Sequence, residues 1–82
     1  MVRILLFAML SEVAGESTLE LELEEGETAR DLFRKLTRRW PELDRYQAIC
    51  RVAVNEQYGS WERVLKTGDE VAFFPPVSGG AR

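Results

Sequence analysis

Histidine is absent from this sequence of 82 residues, and cysteine occurs only once, at Cys50. The chain therefore lacks the commonest general acid–base group and the commonest neutral metal ligand. A single thiol cannot form an internal disulfide, a multi-thiolate metal site or an iron–sulfur cluster. Because Cys50 lies between Ile49 and an apolar segment, we predict a small buried side chain, with a surface thiol as the alternative. These absences favour a protein that is not an enzyme.

Long apolar runs are also missing, since the longest, residues 4–10, is far short of the roughly 20 residues that span a bilayer. It also lacks the flanks of a signal peptide, so we expect a cytoplasmic protein without a membrane partner. A net charge of -3 argues against nucleic acid as the main partner. A chain of this length makes one modest core and leaves little room for an enclosed substrate pocket.

Charge is unevenly distributed along the chain. Segment 12–27 holds acidic residues but no lysine or arginine, whereas most basic residues lie in segment 30–51. Electrostatic steering toward a partner is one interpretation. Solvated faces of a strand and a helix are the other, which we favour.

Two strands are predicted at the start of the chain, over residues 2–9 and 18–23, joined by an irregular connection with a turn at Gly15. The second strand alternates strictly, as a half-buried strand does. The first has apolar residues on both faces: Val2, Ile4, Leu6 and Ala8 on one, and Leu5, Phe7 and Met9 on the other.

One main helix is predicted to begin near Ala29 and to end before Pro41. Thr28 is a good N-cap, and Asp31 takes the place of the usual Glu or Gln of a capping box. An apolar stripe at helical spacing consists of Leu32, Phe33, Leu36 and Trp40. After a loop, we predict a strand over residues 51–55, a turn into a short piece near Tyr58, a brief helical turn over 61–65 and a last strand over 70–74.

This order predicts an α+β fold with a mixed sheet packed on one main helix. The last strand is expected to pair in parallel beside the first, which would place it centrally. We predict a domain over residues 1–74 and a flexible tail over residues 75–82.

The tail has unusual physical properties. Pro75 and Pro76 lack backbone N–H donors, so the last strand cannot continue past Phe74 in a sheet ladder. Gly79 and Gly80 leave a backbone thin enough for a narrow channel and a sterically open carbonyl. A carboxylate is a poor electrophile, so acyl chemistry there requires activation, for example as an acyl-adenylate made by an ATP-using partner.

Segment 67–80 closely resembles the C-terminal signature of the small subunit of molybdopterin synthase, through the run Gly-Asp-Glu-Val-Ala-Phe-Phe-Pro-Pro followed by Gly-Gly. The segments Ile4-Leu5-Leu6-Phe7-Ala8 and Val52-Ala53-Val54-Asn55 are similar to their counterparts in that family, although less specific. The resemblance implies a ubiquitin-like β-grasp fold and the role of a non-catalytic sulfur carrier.

In that family the terminal glycine is adenylated by an activating enzyme and converted to a thiocarboxylate, whose sulfur builds the dithiolene of molybdopterin. Carried onto this chain, the resemblance implies that Gly80 bears the sulfur. Gly79 would pass through the channel of the large synthase subunit, behind a stalk formed by Pro75, Pro76, Val77 and Ser78. No cofactor would be bound by this chain, because the ATP site and the pterin pocket would belong to its partners.

The sequence departs from this pattern in continuing past Gly80 with Ala81-Arg82, so Gly80 carries no free carboxylate as it stands. Three interpretations stay open: a peptidase removes the two residues, the sequence is a fragment of a longer or fused chain, or carrier function is lost.

An apolar patch for partners is predicted on the second face of the first strand, at Leu5, Phe7 and Phe74. The alternatives are that loops cover this face or that the two faces are reversed. For function, the alternatives are a related carrier for tRNA thiolation or thiamine, a ubiquitin-like protein modifier, and a docking module without acyl chemistry.

Overall fold

The computed structural model describes residues 1–76. Its strands and helices, in chain order, are β1 Val2–Leu6, α1 Met9–Ala14, β2 Thr18–Leu21, α2 Ala29–Arg39, a 3₁₀ helix Pro41–Tyr46, β3 Arg51–Val54, β4 Gln57–Gly59 and β5 Glu70–Phe74. None of the described helices is long and apolar enough to cross a membrane.

The five strands form one mixed sheet in the order β2-β1-β5-β3-β4. β1 is antiparallel to β2 and parallel to β5, in a register that pairs Ile4 with Val71 and Leu6 with Phe73. β5 is antiparallel to β3 on its other side. The predicted α+β class and the central, parallel position of the last strand are therefore confirmed.

The core lies between the sheet and α2. Phe33 of α2 meets Phe73 of β5 edge to face, with ring centroids 5.1 Å apart, and Trp61 stacks on Phe73 at 5.5 Å. The remaining fully buried large side chains are Ile4, Leu6, Leu10, Leu32, Leu36, Leu43, Val2, Val54 and Val71. The predicted helix stripe is thus confirmed as core, with Trp40 packed at its margin.

The predicted start of α2 is also confirmed. The Asp31 N–H donates to Thr28 Oγ1 at 3.2 Å, and the Thr28 N–H donates to Asp31 Oδ2 at 3.0 Å, which completes the capping box. The backbone hydrogen bond from Thr28 holds the pKa of Asp31 below its usual value. The two carbonyl groups of Trp61 and Arg63 accept the next free helix donors, the N–H groups of Arg30 and Ala29.

The brief helical turn predicted over residues 61–65 is wrong. Hydrogen bonds between this segment and the start of α2 explain why. Val64 instead forms an isolated bridge with Thr28, and the Leu65 N–H donates to the Glu27 carbonyl at 2.9 Å. Backbone groups that are hydrogen-bonded to the start of α2 are not free to form a local helix. The segment predicted as a loop after Pro41 also contains a 3₁₀ helix, which buries Leu43 completely.

The first strand is shorter than predicted, because it ends at Leu6 rather than at Met9. Ala8 has φ 54° and ψ -130°, close to the first central position of a type II′ turn, and α1 follows directly. Leu10 of α1 is fully buried. The spacing of Leu10, Val13 and Ala14, followed by a left-handed Gly15 cap, was a helical signal that the strand prediction missed.

The second strand likewise ends earlier than predicted, at Leu21 rather than at residue 23. Cys50 is confirmed as a buried side chain, and this burial raises the pKa of its thiol to about 11.

Candidate docking groove and tail exit

The outer face of the sheet, opposite α2, carries the predicted patch. Along β5 the burial alternates, so Val71 and Phe73 are fully buried while Ala72 and Phe74 are half-buried. Leu5 pairs with Ala72 across the parallel ladder and is also half-buried. The predicted assignment of faces is therefore correct for Val2, Ile4 and Leu6, which are the buried residues of β1. It is wrong for Ala8, which was predicted on the same face but is exposed and lines the outer groove, because the strand ends at Leu6.

An open groove of about 740 Å³ follows this outer face. Its lining consists of Leu5, Phe7, Ala8, Glu56, Glu70, Ala72, Phe74, Pro75 and Pro76. The structure thus brings together the three predicted interface residues and adds Ala72 as a small residue between larger ones. Whether a partner uses this surface stays a prediction.

Aromatic rings form one wall of the groove and continue beyond it. Phe7 meets Phe74 edge to face at 6.3 Å, and Tyr58 of β4 lies 5.8 Å from the ring of Phe74. Phe7 is 48% exposed and Tyr58 is 77% exposed. Large aromatic side chains that remain this exposed on a sheet face are typical of protein interaction surfaces.

One end of the groove is acidic. Glu70 begins β5, and Glu56 lies in the turn between β3 and β4. Asn55 joins the two segments: its N–H donates to the Glu70 carbonyl at 2.7 Å, and its side-chain oxygen accepts from the Glu70 N–H at 3.0 Å. The side-chain NH₂ group of Asn55 donates to Asp69 Oδ1 at 3.0 Å. These bonds fix the turn against the start of β5.

The other end of the groove is the point where the chain leaves the sheet. β5 ends at Phe74, and Pro75 and Pro76 line the groove immediately after it. Neither proline can donate to a ladder. The predicted tail residues Val77, Ser78, Gly79 and Gly80, and with them Ala81-Arg82, lie outside the described residues.

Sequence reasoning missed part of this site. Ala72 could have been predicted on the outer face, because it alternates along the strand with Val71 and Phe73, which face the helix. Nothing in the sequence indicated that Glu56 lies at the groove, apart from its place in a predicted turn. Within residues 1–76, no group of three or more acidic, histidine or cysteine residues could hold a metal ion.

Comparisons with known proteins match this geometry. The model of the ThiS family matches residues 4–80. The molybdopterin synthase sulfur carrier subunit of Chlamydomonas reinhardtii is 38% identical, over 96% of this chain and 98% of its own length. The corresponding subunit of Escherichia coli is 35% identical, over 98% of this chain and its entire length.

Among solved structures, small archaeal modifier protein 1 of H. volcanii superposes with a TM-score of 0.83 at 30% identity, over 93% of this chain and 97% of its own. The sheet order and these likenesses confirm the expected ubiquitin-like β-grasp fold. With a family model that covers nearly the whole sequence and relatives that align from end to end, the chain belongs to the ThiS family.

Proposed function

We propose that this protein is the sulfur carrier subunit of a molybdopterin synthase. The observation that carries the proposal is the position of the tail: two prolines leave a central strand at the end of an exposed apolar groove. A partner that covers the groove would receive the tail at a fixed place. The names of the relatives at 35–38% identity support the same function.

The chemistry requires a free carboxylate at Gly80, so hydrolysis of the peptide bond to Ala81 would come first. The carboxylate then attacks the α-phosphate of ATP in the activating enzyme, which gives an acyl-adenylate and releases pyrophosphate. Hydrosulfide released by a sulfur donor then attacks the acyl carbon, so that a C–S bond forms as the C–O bond to AMP breaks, and loss of the remaining S–H proton gives a thiocarboxylate. Gly79 and Gly80 suit this role because a chain without Cβ atoms leaves the carbonyl open to both attacks.

The carrier itself would supply position and a docking surface. The large synthase subunit would contact Leu5, Phe7 and Phe74 and accept Pro75, Pro76, Val77, Ser78 and Gly79 in its active site. The activating enzyme would use the same groove in turn, so the two complexes would exclude each other. Binding to two partners in succession needs moderate affinity. A small, open interface provides this better than a large obligate interface does.

Intact mass tests the proposal directly. The protein is purified from its native host and weighed before and after incubation with ATP, the activating enzyme and a sulfur donor. We expect a chain that ends at Gly80 and gains the mass of one oxygen-to-sulfur exchange. A chain prepared to end at Gly79 is the control and should gain nothing, because its carboxylate lies one residue short of the position at which activation is proposed. A chain still ending at Arg82, in an extract that thiolates a control carrier, would contradict the proposal.

A protein modifier is the second candidate, since a relative with a TM-score of 0.83 and 30% identity is named a modifier. In that function the activated Gly80 would form an isopeptide bond with a lysine instead of accepting sulfur. The same incubation distinguishes the two, because conjugation adds the mass of a target protein and leaves the peptide of residues 67–80 attached to lysine after trypsin digestion, since Lys66 is the last basic residue before Gly80.

A further inference from the structure

The groove is chemically different at its two ends. Pro75 and Pro76 mark the end where the chain leaves the sheet, and two carboxylates, Glu56 and Glu70, mark the opposite end. Between them the lining is apolar. A partner that lies in this groove therefore makes different contacts in its two possible orientations.

The two carboxylates have few internal partners. The guanidinium of Arg3 lies 3.9 Å from the Glu70 carboxylate, and both side chains are substantially exposed. Glu56 is exposed and has no ion pair among the residues that the structure describes. Negative charge at this end is thus only weakly compensated.

Hydrogen bonds of the neighbouring Asn55 fix the position of the Glu56 backbone. Asn55 binds both backbone groups of Glu70, so the turn that carries Glu56 cannot move independently of β5. Asn55 and Glu56 both have positive φ, 54° and 71°, as the two central residues of a type I′ turn do. Glycine is the preferred residue at the second of these positions, so glutamate lies there at a conformational disadvantage.

We propose that the acidic end of the groove binds a lysine or arginine of the large synthase subunit and so fixes the direction in which that subunit lies along the groove. This inference rests on the proposed function, from which it takes the partner. The occupant is a protein segment with apolar side chains against Leu5, Ala72 and Phe74 and a cation at the end that meets Glu56 and Glu70. Complementary charge at a rim chiefly sets orientation and the rate of association.

Strand geometry sets the spacing of this contact. The five residue-to-residue steps from Glu70 to Pro75 span about 16 Å at the rise of an extended strand. The cation of the large subunit should therefore lie about 16 Å from the opening through which it accepts the tail. With the opposite orientation it would face the prolines and leave the carboxylates without a partner.

Binding of the full chain to the purified large subunit tests the inference, by titration calorimetry at low and high salt. The variants are Glu56→Gln, Glu70→Gln and the double variant. Each single variant should weaken binding about 2- to 5-fold at low salt, and the double variant about tenfold, as expected for exposed ion pairs. The double variant should also lose most of the salt dependence of the wild-type chain.

Glu42→Gln is the matched control. It removes the same charge from an exposed residue of the 3₁₀ helix, which packs with α2 away from the groove. Its affinity should equal that of the wild type. Thermal unfolding of each variant excludes a folding defect, and Glu56→Gly adds a sharper check: it should unfold at a higher temperature yet bind more weakly.

The possible outcomes are distinct. Wild-type affinity and wild-type salt dependence in the double variant would overturn the inference while leaving the sulfur carrier function intact. Slower thiocarboxylation with unchanged binding to the large subunit would overturn this occupant and assign the acidic end to the activating enzyme. A wild-type chain that does not bind the large subunit would overturn the proposed partner, and the inference with it.

Discussion

Phe73 and Phe74 are neighbours in one central strand and have opposite environments. Phe73 is fully buried between Phe33 of α2 and Trp61, whereas Phe74 is half-buried on the outer face against Phe7 and Tyr58. The pleat of the strand alone separates them, since successive side chains point to opposite faces.

The difference teaches how this small domain divides its apolar residues. The inner face of β1 and β5 meets the helix and forms the core, which is the larger part of what a chain of this length can bury. The outer face carries Leu5, Ala72 and Phe74 with no helix over it among the described residues. Apolar side chains that add little to stability are best explained by a partner that covers them.

Replacing each phenylalanine by alanine should give the largest contrast. Phe73→Ala removes a buried ring that contacts two others, and it should lower the free energy of unfolding by about 3–5 kcal/mol. Phe74→Ala removes a half-buried ring and should cost about 1 kcal/mol. Urea unfolding followed by circular dichroism measures both. Because small domains have little stability to lose, Phe73→Ala is expected to be partly unfolded at 37 °C.

Binding should reverse this order. Phe74→Ala, still folded, should bind the proposed partner, the large synthase subunit, about tenfold more weakly, as a truncated aromatic anchor of an interface does. Equal losses of stability in the two variants would show that the outer face is also core, and the comparison between the faces would fail.

Filling the groove should affect docking alone. Ala72 is a small residue at its centre, so Ala72→Leu adds bulk where a partner's side chain would lie, and affinity for the large subunit should fall about tenfold. Stability should change by less than about 1 kcal/mol because the added atoms extend toward solvent. Ala48→Leu, at an exposed position outside the groove, is the matched control and should bind normally. Wild-type binding by Ala72→Leu would place the interface elsewhere.

The inner face should show its burial through pH as well. Burial raises the pKa of the Cys50 thiol from 9.0 to about 11, so the folded state holds a proton that the unfolded state releases. The corresponding stability is complete below about pH 9 and is lost as the pH rises toward 11, in total about 3 kcal/mol. Cys50→Ala should lack this loss. Other groups titrate in the same range, so the measured quantity is the difference between the two proteins in urea unfolding at pH 8 and pH 10.5. Parallel curves would mean that the thiolate is tolerated in the core.

Much of this contrast could be predicted from the sequence, because alternation along residues 70–74 and the stripe on α2 are direct consequences of strand and helix periodicity. The end of β1 could not, since residues 7–9 continue the apolar run of the strand while the backbone turns at Ala8. The conformation of the segment after β4 could not be predicted either, because its carbonyl groups accept tertiary hydrogen bonds from the start of α2. The acidic end of the groove needed the fold, because Glu56 and Glu70 are far apart in sequence and only the pairing of β3 with β5 brings them together.

The smallest expected effect concerns the turn at Ala8, which ends β1 and directs the chain from the outer face into α1. Ala8 has a positive φ, which is unfavourable for any residue with a Cβ, so Ala8→Gly should raise the free energy of unfolding by about 0.5 kcal/mol after the greater entropy of glycine in the unfolded chain is subtracted. Ala14→Gly makes the same change at the end of α1 and should instead cost up to about 1 kcal/mol. Opposite signs from one substitution, read from urea unfolding, would show that the turn is held by its surroundings against its own preference. A loss of stability in both variants would mean that the Ala8 methyl group contributes more by packing at the groove than its backbone costs.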